Sequence, residues 1–331
     1  MNIREKMKQG RLFFDGGSGT ILQSYGLKPG ELPENWNLSH PDVITGLHKA
    51  YLEAGSDIIT TTTFGANRLK FKDNLEEIIK AALSNAKRAI EESGLRDKYI
   101  ALDVGPLGKL LKPMGDLNFS EAVDMFAETV QLGAKYGADL VIIETMNDSY
   151  ETKAAVLAAK ENCDLPVCAT NAYDASGKLM TGASPEAMVA LLEGLGVDAL
   201  GINCSLGPDA MLPVVRQLLA CASVPVIVNP NAGLPVLKDG KTEFNIGPEQ
   251  FAETMKEIAK AGALILGGCC GTTPDYIRAT REAVAEIPPA FTVPKRRTVI
   301  SSYSHAVTFD DKPILIGERI NPTGKKKLKE A

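Results

Sequence analysis

Short apolar runs rich in β-branched residues recur along the chain, and each is followed by a longer stretch with helical spacing of its apolar positions. The runs cover 12–15, 57–64, 99–104, 139–145, 166–171, 199–204, 225–231 and 263–270. Residues 250–261 show the helical pattern well: Phe251, Met255, Ile258 and Ala259 stand at i, i+4, i+7 and i+8, on one face. Ser184-Pro185, Gly207-Pro208, Gly247-Pro248 and Thr273-Pro274 mark helix starts, because a first-turn residue has no intrahelical N–H bond for proline to lose. Eight strands alternating with helices predict an α/β fold, a (β/α)8 TIM barrel, with an open doubly wound sheet as the structural rival.

A parallel barrel gathers the ends of its strands at one face, where such folds build their sites. The unusual residues of this chain fall at those ends: Asp15 to Gly19, Thr61 to Gly65, Asp103 to Gly105, Glu144-Thr145, Asn171, Asn203-Cys204, Asn229 to Asn231, and Gly268-Cys269-Cys270. Cys269 and Cys270 are adjacent, so their Cα atoms are about 3.8 Å apart, short of the roughly 4.4–6.8 Å of ordinary disulfides. They suit a soft metal better than each other, although two small buried hydrophobes is the bland alternative. Cys204, at the end of the sixth strand, supplies a third thiolate. Zinc held by three protein sulfurs keeps one position open. Such a site is suited to a fourth sulfur, whose proton is lost near neutral pH. The glycine-freed amides of Gly16 and Gly17 offer a cradle for a carboxylate, and Asp15 and Glu144 offer partners for an ammonium; an amino-acid thiol meets all three demands. DGGSGT at 15–20 also reads as a plain tight turn. Cys163, Cys168 and Cys221 are expected to pack in the core.

Composition narrows the setting. No window approaches an apolar run of about 18 residues, so no membrane partner is expected, and the start MNIREKMKQG lacks the apolar core of a signal peptide. A cytoplasmic protein with reduced cysteines is the expectation. The net charge of −5 gives no general attraction to nucleic acid, so no nucleic-acid partner is expected; the basic segments 295–297 and 325–329 read as solvated linker and tail.

INCSLGP at 202–208, PNAG at 230–233, GGCCGTTP at 267–274, DGGSGT at 15–20 and TTTFGANR at 61–68 together resemble the homocysteine S-methyltransferase family, over nearly all of residues 1–290. The resemblance implies a zinc-dependent methyltransferase that converts L-homocysteine to L-methionine. It implies Cys204, Cys269 and Cys270 as zinc ligands and catalytic residues, and Asp15, Glu144 and the Gly16-Gly17 amides as the site for the homocysteine backbone, with Asn203 among the substrate contacts. Ser18 departs from the pattern, which leads one to expect a larger apolar residue there. Asn231, at the end of the seventh strand, has two readings: a weak fourth metal ligand at rest, or a hydrogen-bonding partner of loop backbone.

Residues 291–311 read as a linker. Residues 312–331, containing PILIGERINPTG, resemble the opening of the folate (pterin)-binding domain that follows the homocysteine barrel in cobalamin-dependent, multi-module relatives. That implies methylcobalamin as methyl donor, bound elsewhere, with cobalamin- and folate-binding modules as partners. The alternative is a cobalamin-independent enzyme using S-methylmethionine or betaine.

Overall fold

The computed structural model describes residues 2–238, 241–309, 312–317 and 325–330. Seven strands open the parallel sheet: β1 Leu12–Phe13, β2 Ile58–Thr60, β3 Tyr99–Val104, β4 Leu140–Met146, β5 Val167–Asn171, β6 Ala199–Asn203 and β7 Val226–Asn229. A hairpin, β8 Pro235–Lys238 with β9 Lys241–Phe244, interrupts the alternation before the eighth barrel strand, β10 Ile265–Leu266. The sheet runs β1-β10-β7-β6-β5-β4-β3-β2, all parallel, and a parallel bridge between Phe14 and Ile58 brings its two ends together. This is the expected (β/α)8 barrel. All eight strands were marked by their apolar runs because parallel strands are covered on both faces and so read as continuous hydrophobic stretches.

Most strands are shorter than their apolar runs, β3 and β4 excepted. The run 57–64 gives only Ile58–Thr60, after which threonine hydroxyls join the bonding to β3: Thr61 gives both its N–H, at 3.0 Å, and its Oγ1, at 3.3 Å, to Ala101 O, and Thr63 Oγ1 donates to Asp103 O at 2.8 Å. The four proline-marked helices begin at Pro185, Pro208, Pro248 and Pro274. On the helix Pro248–Ala261 the four residues read as one face are all buried.

Two cores result. The outer one lies between strands and helices. The inner one fills the barrel with Leu12, Phe14, Ile58, Ala101, Ile142, Cys168 and Ile227, among others, and Ile3 and Met7 from the N-terminal helix Ile3–Lys6 join it. Arg4 ties that helix to Asp198 at 2.6 Å, and Asp198 in turn accepts the Val167 N–H at 2.8 Å. Cys168 is thus a packing residue, as expected; Cys163 and Cys221 are half-buried at helix ends.

Past the barrel the structure differs from a plain linker. Strands β11 Thr298–Ser301 and β12 Ala306–Phe309 form an antiparallel hairpin within 291–311. Its turn docks on two helix N-termini at the face where the barrel strands end. Tyr303 Oη donates to Asp148 Oδ1 at 2.7 Å, Ser149 Oγ donates to Tyr303 O at 2.7 Å, and Ser184 N–H donates to Ser304 O at 3.2 Å. Residues 312–317 form no strand and are exposed, and a short helix spans Lys326–Glu330; most of GERINPTG lies outside the described residues. No helix among the described residues is long and apolar enough to cross a membrane.

One buried group makes the fold sensitive to acid. His48, on the helix Pro41–Ala54, is fully buried, and neither ring nitrogen has a partner among the described residues. Burial holds its pKa down to about 4 from an ordinary 6.5. The unfolded chain therefore takes the proton first, and the stability associated with neutral His48 is complete above 6.5 and lost as pH falls toward 4, by about 3 kcal/mol. Denaturant titrations at pH 7 and pH 4.5 should show the loss shrinking by about that amount in His48→Leu; equal losses in both proteins would contradict this role.

Candidate metal and substrate site

The three cysteines named from the sequence meet. Their sulfurs lie within 4.8 Å of one another, and Cys204 Sγ is 3.9 Å from Cys270 Sγ. Two zinc–sulfur bonds of about 2.3 Å at a tetrahedral angle set their sulfurs roughly 3.8 Å apart, so the cluster has the size a zinc ion requires.

Backbone holds this cluster in place. Cys204 follows β6 with a φ of 58°, and Ser205 follows with 61°. Two successive non-glycine residues in the left-handed region cost roughly 1–3 kcal/mol each, and neighbouring strands maintain them. The Cys204 N–H donates to Asn229 O at 3.1 Å, and the Leu206 N–H donates back to Cys204 O at 2.7 Å. On the other side the Cys269 N–H donates to Pro230 O at 2.8 Å, and the Cys270 N–H donates to Asn231 Oδ1 at 3.1 Å. Asn231 therefore holds the cysteine loop. Of the two readings of Asn231, backbone bonding is the one the geometry displays.

The thiols share protons. Hydrogen bonds from Cys269, then Cys270, pull the Cys204 thiol far below its ordinary pKa, and bonding to Cys204 pushes Cys269 and Cys270 up. Without a cation, one thiolate is solvated by two thiols. A soft divalent ion would replace the protons of both.

Asn203 does not face substrate space. It is wholly buried, and its Oδ1 accepts from Thr145 N–H and Thr170 Oγ1, both at 2.8 Å. Its Nδ2 donates to Thr145 Oγ1 at 2.7 Å and points at Cys269 Sγ, 3.9 Å away. The expected substrate contact is corrected to an internal brace that links the β4 loop to the cysteine cluster. Gly17 is a second correction: its N–H is already given to Thr272 O at 3.0 Å. Gly16 packs so closely that a Cβ there would stand 2.6 Å from Thr272 Oγ1 and 2.9 Å from Tyr51 Oη. The helix Ser18–Ser24 starts one residue on, so the Ser18 and Gly19 N–H groups, like that of Gly16, belong to a helix start whose first amides lack intrahelical acceptors.

A cavity of about 380 Å³ opens beside the sulfurs, and Asp15, Ser18, Glu144 and Asp103 line it. Asp15 is buried; Thr60 N–H donates to its Oδ2 at 2.7 Å, and Thr60 Oγ1 lies 3.1 Å from both oxygens. Burial pushes its pKa up to about 7 against those bonds. Glu144 sits at a register shift in β4, between Ile143 and Met146, next to Thr145 with a φ of 59°. Bulges of this kind re-aim side chains at sites. Burial, then the charges of Asp15 and Cys204, push Glu144 up to about 8.

Four more polar groups in the cavity wall have buried oxygens without partners among the described residues: Asp103 Oδ1, Glu34 Oε2, Asn229 Oδ1 and Thr62 Oγ1. The sequence assigns them no role. Asp103 and Asn229 stood at strand ends, which was the available signal; Glu34 reaches in from the short turn Pro33–Asn35, which carries none.

The comparisons agree with this geometry. Residues 12–284 match the family model for homocysteine S-methyltransferase. Relatives include proteins named methionine synthase from Mycobacterium leprae and from Mycobacterium tuberculosis, each 34% identical across 100% of this chain. The chain spans 29% of the length of these relatives. Among solved structures, the metallated form of the homocysteine methyltransferase MmuM from Escherichia coli superimposes with a TM-score of 0.71 at 24% identity, over 83% of this chain and 96% of that one. The apo form of the same enzyme gives 0.68 at 25% identity, over 83% and 97%. Both support the barrel. With its three sulfurs gathered at the barrel's open face and its sequence matched across the whole barrel, the chain belongs to the homocysteine S-methyltransferase family, whose enzymes act on the sulfur of homocysteine.

Proposed function

We propose that this chain is the homocysteine-binding module of a cobalamin-dependent methionine synthase, transferring a methyl group to the thiol of L-homocysteine to give L-methionine. The observation that carries the reading is the pairing of a three-sulfur cluster with carboxyl groups and a glycine-rich helix start around one cavity. Zinc held by Cys204, Cys269 and Cys270 would supply the positive charge that keeps the substrate sulfur deprotonated near neutral pH.

The chain's own groups do the rest. Glu144 and Asp15 hold the substrate ammonium, and the Ser18 and Gly19 amides receive its carboxylate at the positive end of a helix. Held at both ends, the amino acid presents its sulfur toward the cluster in one orientation, which is the positional advantage such sites provide. Asn203 and Asn231 keep the two loops in register. An ionised Glu144 repels the Cys204 thiolate and attracts the ammonium, so substrate arrival relieves a like-charge contact. Asn231 serves as loop anchor, since its oxygen is already engaged by the Cys270 N–H. A cytoplasmic setting keeps the thiols reduced.

The methyl donor follows from the tail. The relatives named methionine synthase match all of this chain, including residues past the barrel, and extend well beyond it. Ile314, Leu315 and Ile316 are exposed, which suits a segment that packs in a further module. We therefore read 1–290 as the zinc barrel, 291–311 as a connection folded onto it, and 312–331 as the opening of a folate-binding domain, with methylcobalamin carried by another module. The test is a transfer assay on the zinc-loaded chain with homocysteine and each of three donors. Methionine should form from methylcobalamin; transfer from S-methylmethionine or betaine instead would favour the cobalamin-independent alternative.

A further inference from the structure

The threonine-rich turn after β2 pins one residue with unusual thoroughness. The Asp103 N–H donates to Thr61 Oγ1 at 3.1 Å, the Asp103 carbonyl accepts from Thr63 Oγ1 at 2.8 Å, and the two threonine hydroxyls are 2.7 Å apart. One residue beyond Val104, the Gly105 N–H donates to Phe64 O at 2.9 Å. The backbone of Asp103 is therefore fixed, while its side chain receives no hydrogen bond from the described residues. Asp103 is only 6% exposed, its Oδ1 is buried without a partner, and it lines the same cavity as Glu144 and Asp15. Buried carboxyl oxygens are ordinarily satisfied, and an unsatisfied one at a cavity wall asks for a donor from whatever fills the cavity.

We propose that Asp103 is a specificity-determining residue that accepts a hydrogen bond from the substrate ammonium, completing with Glu144 and Asp15 a three-carboxyl seat for its three N–H donors. The inference rests on the homocysteine reading above and deepens it. An ammonium has three donors and no acceptor, so one acceptor group per N–H is the most a site can offer it. Asp15 alone would serve poorly, because both its oxygens already receive bonds from Thr60. Glu144 makes no hydrogen bond to protein among the described residues, so it and Asp103 are the cavity carboxyls with no bond received, whereas Glu34, whose Oε2 is also unpartnered, already takes the Gly65 N–H on its Oε1. The surroundings of Asp103 argue against a structural purpose: burial first, then Glu144, Asp15 and Glu34, raise its carboxyl well above the ordinary range, so in the empty cavity the group is a burden to the fold. A cation seated among these carboxyls removes that burden.

The test separates the ammonium from the thiol. Homocysteine and 4-mercaptobutanoate, which differs from it only by lacking the amino group, are titrated into the zinc-loaded chain by calorimetry, with wild type and Asp103→Asn. Asparagine keeps the shape and removes the charge. The expected result is that homocysteine binding weakens by about tenfold or more, as for loss of a buried charge-assisted bond, while 4-mercaptobutanoate binding stays within about twofold. Zinc content should be unchanged and the melting temperature equal or higher, since a buried carboxyl beside Glu144 has been neutralised; Asp103→Ser should show the same change in selectivity. If the wild type discriminates between the two thiols and both variants discriminate equally well, the assignment of Asp103 is overturned and the homocysteine reading stands. If the wild type itself does not discriminate, the ammonium seat fails for every carboxyl in it.

Discussion

Cys204→Ser, Cys269→Ser and Cys270→Ser should each lose zinc and methyl transfer while the barrel stays folded. Removing an outer partner of a metal ligand typically costs about 10–100-fold in affinity, and removing one of three direct sulfur ligands should cost more. The fold should tolerate the change, because the three side chains are half-buried at the open end of the barrel and belong to neither apolar core. The two cores are built mainly from strand interiors and helix faces, with only a few members, such as Leu206 and Ala232, on the site's loops. Metal analysis and thermal melts on the purified variants decide the matter: zinc near one per chain in wild type and near none in the variants, with melting points within a few degrees of the metal-free wild type. Variants that keep full zinc, or that unfold, would contradict the site.

Gly201→Ala should do the reverse and break the fold first. Gly201 lies in the middle of β6, paired with Ile227 of β7, and a Cβ added there would stand 1.9 Å from the Ile227 carbonyl oxygen and 2.7 Å from its carbon. Those atoms are backbone in the centre of a closed sheet, so no side chain can rotate away. The strands would have to separate, and every hydrogen bond between β6 and β7 depends on their spacing. Ordinary overpacking costs about 1–3 kcal/mol; a contact this short against fixed backbone should exceed that. Cys204 and Asn203 follow on the same strand, so zinc would be lost along with stability. Circular dichroism and denaturant titration should show a strongly destabilised or unfolded protein, whereas a wild-type melting curve would mean that the sheet can open at this point at little cost.

The contrast between these two substitutions also marks what the sequence could and could not disclose. The strands were visible as uninterrupted apolar runs, and the helix starts as prolines, because both signals are local. The cysteine cluster was visible because the topology sends every strand end to one face, which brings Cys204 to Cys269 and Cys270 without any need to know side-chain directions. Finer roles depend on where hydrogen bonds go, and that is tertiary information. Asn203 looked like a substrate contact by position, yet Thr145 and Thr170 consume its oxygen. Gly17 looked like a free amide, yet Thr272 receives it. Asp103 stood among the strand-end residues but received no role, because an aspartate there resembles an ordinary turn residue; its unmet oxygen in the cavity wall is visible only in the structure. The hairpin β11–β12 was read as linker because its prolines and basic neighbours dominate the composition, and the segment shows its strand character only through pairing between Thr298–Ser301 and Ala306–Phe309. In the structure that hairpin reaches back to Asp148, four residues from Glu144, so the connection beyond the barrel packs on the face where the barrel strands end.

The central claim is that the three sulfurs hold zinc with one position left for the substrate's own sulfur, and zinc K-edge X-ray absorption measures this directly. The substrate-free chain should show three sulfur ligands and one lighter ligand, changing to four sulfurs when homocysteine is added. A spectrum with fewer than three sulfurs at rest, or one that homocysteine leaves unchanged, would contradict the account.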